Sequence, residues 1–227
     1  MAFGDLRSTT KKATSKTPQV AVIVIDDSGS MQGEPARQAS EGAQQLVMEM
    51  QANNIGAGGS RFILSLCKFG DAVTPLCVAA KPDAVDMTTV DFAGDSGTTE
   101  MAAALTWAGD AIEQSLAVCR RIPGYAESDS PSPVVVFFSD GANSGGDIMP
   151  AVSRLHSIPV QSGRVNVVAV GIGMDPKDFQ IMTTIATDPD LARNINPAEL
   201  QEFLAFAGAT IVKGETPKVM VEQFRTA

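Results

Sequence analysis

The apolar run Val20-Ala21-Val22-Ile23-Val24-Ile25 passes directly into Asp26-Asp27-Ser28-Gly29-Ser30-Met31, and this junction constrains the fold more than any other stretch. Six apolar, mostly β-branched residues are too few for a helix of ordinary length and favour extended backbone. A strand without polar alternation is buried on both faces, as in a parallel sheet, and parallel strands need long, usually helical crossovers. Gly29 permits the turn that must follow. Asp26, Ser28 and Ser30 then set three oxygens around one point, with no nitrogen or sulfur among them. Such a set suits a hard divalent cation: Mg²⁺, Mn²⁺ or Ca²⁺. Asp and Ser are also common turn residues, so this element alone does not make a site.

Two distant segments strengthen it. Gly97-Thr98-Thr99-Glu100-Met101 brings a threonine to the start of a long amphipathic stretch. Residues 134–138 form a second wholly apolar strand, which ends in Ser139-Asp140-Gly141. All three segments fall at a strand end or a helix start, where open α/β sheets hold their ligands. Together they offer two carboxylates and three hydroxyls.

This combination resembles the von Willebrand factor A (vWA) domain and its metal-ion-dependent adhesion site (MIDAS). The family's Asp-x-Ser-x-Ser motif is matched by Asp26, Ser28 and Ser30, and its Asp-Gly by Asp140 and Gly141. Its threonine best fits Thr99, with Thr98 the near alternative. The likeness spans residues 18–213, between a leader at 1–17, read as flexible, and a tail at 214–227. Asp-Asp-Ser-Gly-Ser-Met followed by Gly33-Glu34-Pro35 looks most like the bacterial tellurite-resistance TerY-type branch. The resemblance implies a doubly wound, Rossmann-like α/β fold. Its central sheet would be mostly parallel, with one antiparallel edge strand and helices on both faces. It also implies that Ser28, Ser30 and, in one state, Thr99 bind Mg²⁺ directly, while Asp26 and Asp140 act largely through water. Asp27 is read as outside that shell. The vacant position would accept an Asp or Glu of a protein partner. TerY-type proteins are encoded beside a Ser/Thr kinase and a metal-dependent phosphatase, so either enzyme is an expected partner in a cytoplasmic stress-signalling system.

Composition narrows the alternatives. At 227 residues with 44% hydrophobic content, one domain with a sizeable core is the economical reading. A formal charge of −9 argues against sequence-independent nucleic-acid binding and against anionic membrane surfaces. Residues 1–17 contain no apolar targeting core, and no run is long enough to span a bilayer. Cys67, Cys77 and Cys119 have no paired spacing and read as buried free thiols of a cytoplasmic protein.

No enzyme is expected. Gly94-Asp95-Ser96-Gly97 matches the tetrapeptide around a trypsin-like nucleophile, but the lone His156 lies downstream and the flanking sequence is α/β. A haloacid-dehalogenase-type phosphatase needs a carboxylate where Ser28 stands, and no Gly-x-x-x-x-Gly-Lys phosphate loop occurs. A metal-dependent hydrolase and an interaction domain with an empty metal site are the competing alternatives.

Between these landmarks the pattern predicts a helix from Pro35 that stops before Asn53-Asn54, a strand over 61–67 and an edge strand over 72–79. A helix over 101–119, a short one over 148–155 with His156 at its end, and a strand over 164–171 follow. Asp175-Pro176 is expected to start another helix, 191–194 a last short strand, and Asn196-Pro197-Ala198-Glu199 a capped final helix.

Overall fold

A computed structural model describes residues 11–54, 59–141 and 143–224. Strands β1 (Gln19–Asp26), β2 (Phe62–Phe69), β3 (Val73–Ala80), β4 (Val134–Ser139), β5 (Asn166–Ile172) and β6 (Ala192–Ile195) make one sheet. Their order is β3-β2-β1-β4-β5-β6, and every neighbouring pair is parallel except β2 and β3. All eight residues of β1 are buried, as a central strand covered on both faces requires. From β1 the chain first winds outward through β2 and β3, then returns to lay β4, β5 and β6 on the other side. The reversal leaves a crevice at the carboxyl ends of β1 and β4, the place where doubly wound sheets bind ligands.

Helices α1 (Glu34–Asn54), α2 (Met101–Cys119), α3 (Met149–Ser157), α4 (Gln180–Ile185), α5 (Leu200–Lys213) and α6 (Pro217–Glu222) surround the sheet. Ser65 of β2 meets Ser115 of α2 at 3.4 Å. Its register neighbours Val22 and Val135 share that face. Phe138, three residues beyond Val135, points the opposite way and stacks edge-on against Phe203 of α5, with ring centroids 5.8 Å apart. Thus α2 and α5 cover opposite faces. Against α5 lies α1, and glycine sets how close they come. A Cβ on Gly42 would stand 2.8 Å from Leu204 Cβ, and one on Gly208 3.0 Å from Leu46 Cα.

Several expectations change. Residues 11–17 of the leader pack on the domain: Ala13 is buried, its carbonyl accepts from Arg61, and Lys11 donates to the Ser128 carbonyl. Residues 1–10 of that leader, the tail's 225–227 and most of the turn read at 56–59 lie outside the described residues. Helix α1 runs on through Asn53-Asn54, because the Asn53 amide bonds back to the Glu49 carbonyl and the Asn54 amide meets Asp83 at 2.6 Å. Asp175 does accept from the amides of Lys177 and Asp178, but regular helix begins only at Gln180. The chain after α5 docks as α6, and Phe224 sits on Phe203 at 4.8 Å. Cys77 is only half-buried, whereas Cys67 and Cys119 are buried; all three are free thiols.

Candidate metal centre

Asp26 is the last residue of β1, fully buried where that strand meets the crevice. One carboxylate oxygen accepts from the Ser28 amide at 2.9 Å, and the other from the Ser139 hydroxyl at 2.5 Å. The Ser28 and Ser30 hydroxyls lie 3.2 Å apart, and Ser30 Oγ donates to Asp140 Oδ1 at 2.7 Å. These contacts bring the ends of β1 and β4 into one polar cluster.

The third segment joins through Thr99, just ahead of α2. The residue is only 4% exposed, and its hydroxyl has no hydrogen-bond partner among the described residues and is not a closed-off atom. A methyl group placed on Gly141 would stand 3.4 Å from Thr99 Oγ1 and 3.8 Å from Ser30 Oγ. Both hydroxyls therefore face the same space beside Gly141, and glycine keeps that space open. Thr98 is turned elsewhere: its amide and hydroxyl both donate to Asp71 Oδ1 at 2.6 Å. Those two bonds hold the exposed Asp71 carboxyl below its usual range. The loop after β4 is stitched to the same helix start, with the Ser144 amide donating to the Thr99 carbonyl at 3.0 Å and the Met101 amide to Asn143 at 3.2 Å.

Electrostatically the cluster is poised for a cation. Burial pushes the Asp26 carboxyl from its ordinary 3.8 up to about 6, against the opposing pull of hydrogen bonds from Ser139 and Ser28. Burial also raises Asp140, opposed by the Ser30 bond. Both carboxyls are therefore harder to ionise than free ones, and a bound cation would favour their charged forms. Among the described residues no group of three or more His, Cys, Asp or Glu side chains could hold a metal, so any ion here would rely on hydroxyl ligands. The donor set is all oxygen, and the Thr99 hydroxyl, with no partner among the described residues, is free to take one. The residues present fit a hard divalent ion.

Asp26, Ser28, Ser30, Thr99 and Asp140 lie near one another at one end of the sheet. Two roles were not visible in the sequence. Ser139 ties Asp26 to β4, and Asp27 reaches the segment before Thr99; both depend on contacts more than 60 residues away in the chain. The only local signal for Ser139 was a hydroxyl at the end of an apolar strand.

A doubly wound α/β sheet with paired carboxylate and hydroxyl motifs at its switch point defines the class of domain. The family model for the von Willebrand factor type A domain matches residues 21–206, and the chain belongs to that family. No curated protein matches the sequence. Among solved structures the fold is similar to proximal thread matrix protein 1 of the mussel byssus, in a form with a zinc-occupied MIDAS motif. That match has a TM-score of 0.61 and 20% identity, and covers 86% of this chain and 49% of the other. It is also similar to the pilus adhesin SpaC of Lactobacillus rhamnosus GG, with a TM-score of 0.66, 15% identity, and 89% and 32% coverage. The ArnB paralog VWA2 of Sulfolobus acidocaldarius gives a TM-score of 0.52, 20% identity, and 85% and 45% coverage. The chain spans half or less of each of these proteins, and at such identities the likeness is one of fold.

Proposed function

We propose that this domain captures a carboxylate of a protein partner through a divalent cation held by Asp26, Ser28, Ser30, Thr99 and Asp140. The observation that carries the reading is the Thr99 hydroxyl, which bonds to no described residue and shares with Ser30 the space that Gly141 leaves. Mg²⁺ is the proposed ion, with Mn²⁺ or Ca²⁺ as substitutes, because hard cations prefer oxygen ligands. When bound, the ion supplies an electrophilic centre for an outside Asp or Glu. Two carboxylates roughly cancel its charge, while the neutral hydroxyls leave it attractive to a third. Both carboxylates of the cluster already accept hydrogen bonds from its serines, which favours binding over catalysis. The mussel protein with a zinc-occupied MIDAS motif supports a metal at this position of the fold, and the pilus adhesin supports a role in binding.

The narrower proposal is a cytoplasmic adaptor in bacterial stress signalling of the tellurite-resistance type, with a Ser/Thr kinase or metal-dependent phosphatase as partner. Its support is the TerY-like run from Asp26 to Pro35 together with three free thiols. No described helix is long and apolar enough to cross a membrane. Titration calorimetry with Mg²⁺ tests the ion. Wild type should give saturable heat that Asp26→Ala loses, and equal heats would favour an empty site. Capture of the neighbouring enzymes in Mg²⁺ but not in EDTA tests the partner, and capture indifferent to EDTA would contradict metal bridging.

A further inference from the structure

We infer that Asp27, the residue between the first two site positions, is the positioning residue of the cation site. Its buried carboxylate ties the segment 93–97 to the end of β1 and so sets the Thr99 hydroxyl opposite Ser30. The inference rests on the cation-binding reading above and names a residue that the motif leaves unspecified.

Asp27 is fully buried, and both its oxygens are engaged. Oδ1 accepts from the Ala93 amide at 2.8 Å and the Gly94 amide at 2.7 Å. Oδ2 accepts from the Ser96 hydroxyl at 2.9 Å and faces the Lys68 ammonium at 3.1 Å. With neither oxygen free, Asp27 does not serve the ion itself, and Lys68 cancels the charge it would add to the cluster. Three of the four donors belong to the one segment that leads into Thr99. The fourth, Lys68, also donates to the Asp91 carbonyl at 3.3 Å, which ties down the start of that segment.

The backbone completes the clasp. The Ser96 amide donates to the Asp27 carbonyl at 3.0 Å, and the Gly29 amide to the Gly97 carbonyl at 2.9 Å. Gly94, at φ 64°, lies so close to Gln32 that a Cβ there would meet its amide nitrogen at 2.3 Å. Gly97, at φ 79°, leaves similar room for the Asp71 carboxylate. The segment is thereby held against both the β1 turn that carries Ser28 and Ser30 and the β2–β3 turn.

Burying a charge such as that of Asp27, even with the part-exposed Lys68 beside it, is seldom the cheapest way to hold a fold, since apolar residues of similar volume often stabilise as well. What the carboxylate adds is direction. Charge-assisted hydrogen bonds are shorter and about twice as strong as neutral ones, and several converging on one carboxylate hold a polar loop in one orientation. Partners that orient ligands commonly matter tenfold or more to metal affinity.

The test is a double-mutant cycle read by Mg²⁺ calorimetry, with thermal melts as the control for folding. Asp27→Ala should weaken Mg²⁺ binding about tenfold or more. Asp27→Asn keeps an acceptor for the Ala93 and Gly94 amides and should weaken it less. The deciding readout is coupling with Thr99→Ala, whose penalty should shrink in the Asp27→Ala background because the threonine is already displaced. If Asp27→Ala does not fold, Ser96→Ala, which removes a single donor, takes its place in the cycle. Mg²⁺ binding in wild type with undiminished affinity in Asp27→Ala, or strictly additive penalties with Thr99→Ala, would overturn the inference while sparing the cation site. Absence of Mg²⁺ binding in wild type would instead overturn the reading beneath it.

Discussion

The Ser139 hydroxyl donates to the Asp26 carboxylate at 2.5 Å, joining the last residue of β4 to the last residue of β1. The bond crosses the switch point of the sheet and fixes one Asp26 oxygen, while the Ser28 amide fixes the other at 2.9 Å. Removing the donor in Ser139→Ala takes away the strongest influence opposing the upward push of burial on Asp26. Mg²⁺ affinity at neutral pH should fall several-fold, and the pH at which binding is half lost should rise. Ser139→Thr keeps the hydroxyl and should behave as wild type. Calorimetry across a pH series checks both variants.

The raised Asp26 carboxyl makes metal-free stability depend on pH in a defined direction. Unfolded, the group titrates near its ordinary 3.8; folded, near 6. Between these values the folded state holds a proton that the unfolded chain has lost, so this contribution is full below about pH 4 and is lost as pH rises through about 6. At 1.36 kcal/mol per pKa unit the loss is roughly 3 kcal/mol. In EDTA, Asp26→Asn should therefore melt higher than wild type at pH 7.5, with the gap closing towards pH 4.5. Mg²⁺ should stabilise wild type more at pH 7.5 than at pH 5, because at the lower pH it must displace a proton. Thermal melts with and without Mg²⁺ at the two pH values measure all of this.

Gly141→Ala separates the cation space from the fold. Gly141 does not adopt a left-handed φ, and the added methyl would stand 3.4 Å from Thr99 Oγ1 and 3.8 Å from Ser30 Oγ. Metal-free stability should change by about 1 kcal/mol or less, as expected where a small group enters open space. Mg²⁺ affinity should drop at least about tenfold, as for other changes that displace the groups orienting a metal ligand. Unchanged affinity would mean that Thr99 and Ser30 do not face a shared ion.

The contact between α1 and α5 gives a prediction away from the site. Gly42→Ala places a methyl 2.8 Å from Leu204 Cβ and 2.9 Å from Gln201 Cα, so one helix must move. Such overpacking costs about 1–3 kcal/mol. Chemical denaturation should show that loss, with Mg²⁺ affinity at wild-type strength because the cluster lies at the strand ends.

How much of this could be read along the chain follows from the range of each interaction. The strands announced themselves through apolar runs, because a central parallel strand needs no polar face. Asp26, Ser28 and Ser30 stand within five residues, and Asp140 follows an equivalent strand, so their gathering at one end of the sheet follows from topology alone. The choice between Thr98 and Thr99 did not, since it turns on Asp71, which takes Thr98 for itself from another loop. Asp27 looked idle for the same reason: its donors are Ala93, Gly94, Ser96 and Lys68. Helix α1 outran its expected end because Asn54, a residue that usually stops helices, finds Asp83 and the Arg61 amide. Local chemistry sets which residue types are present, and contacts across the chain decide which of them are used.

Crystals of the protein grown with Mn²⁺ and measured at the manganese absorption edge test the central claim most directly. The account predicts one anomalous peak among the hydroxyls of Ser28, Ser30 and Thr99 and the carboxylates of Asp26 and Asp140, absent from Asp26→Ala crystals. No peak there at saturating Mn²⁺, or a peak that survives Asp26→Ala unchanged, would contradict it.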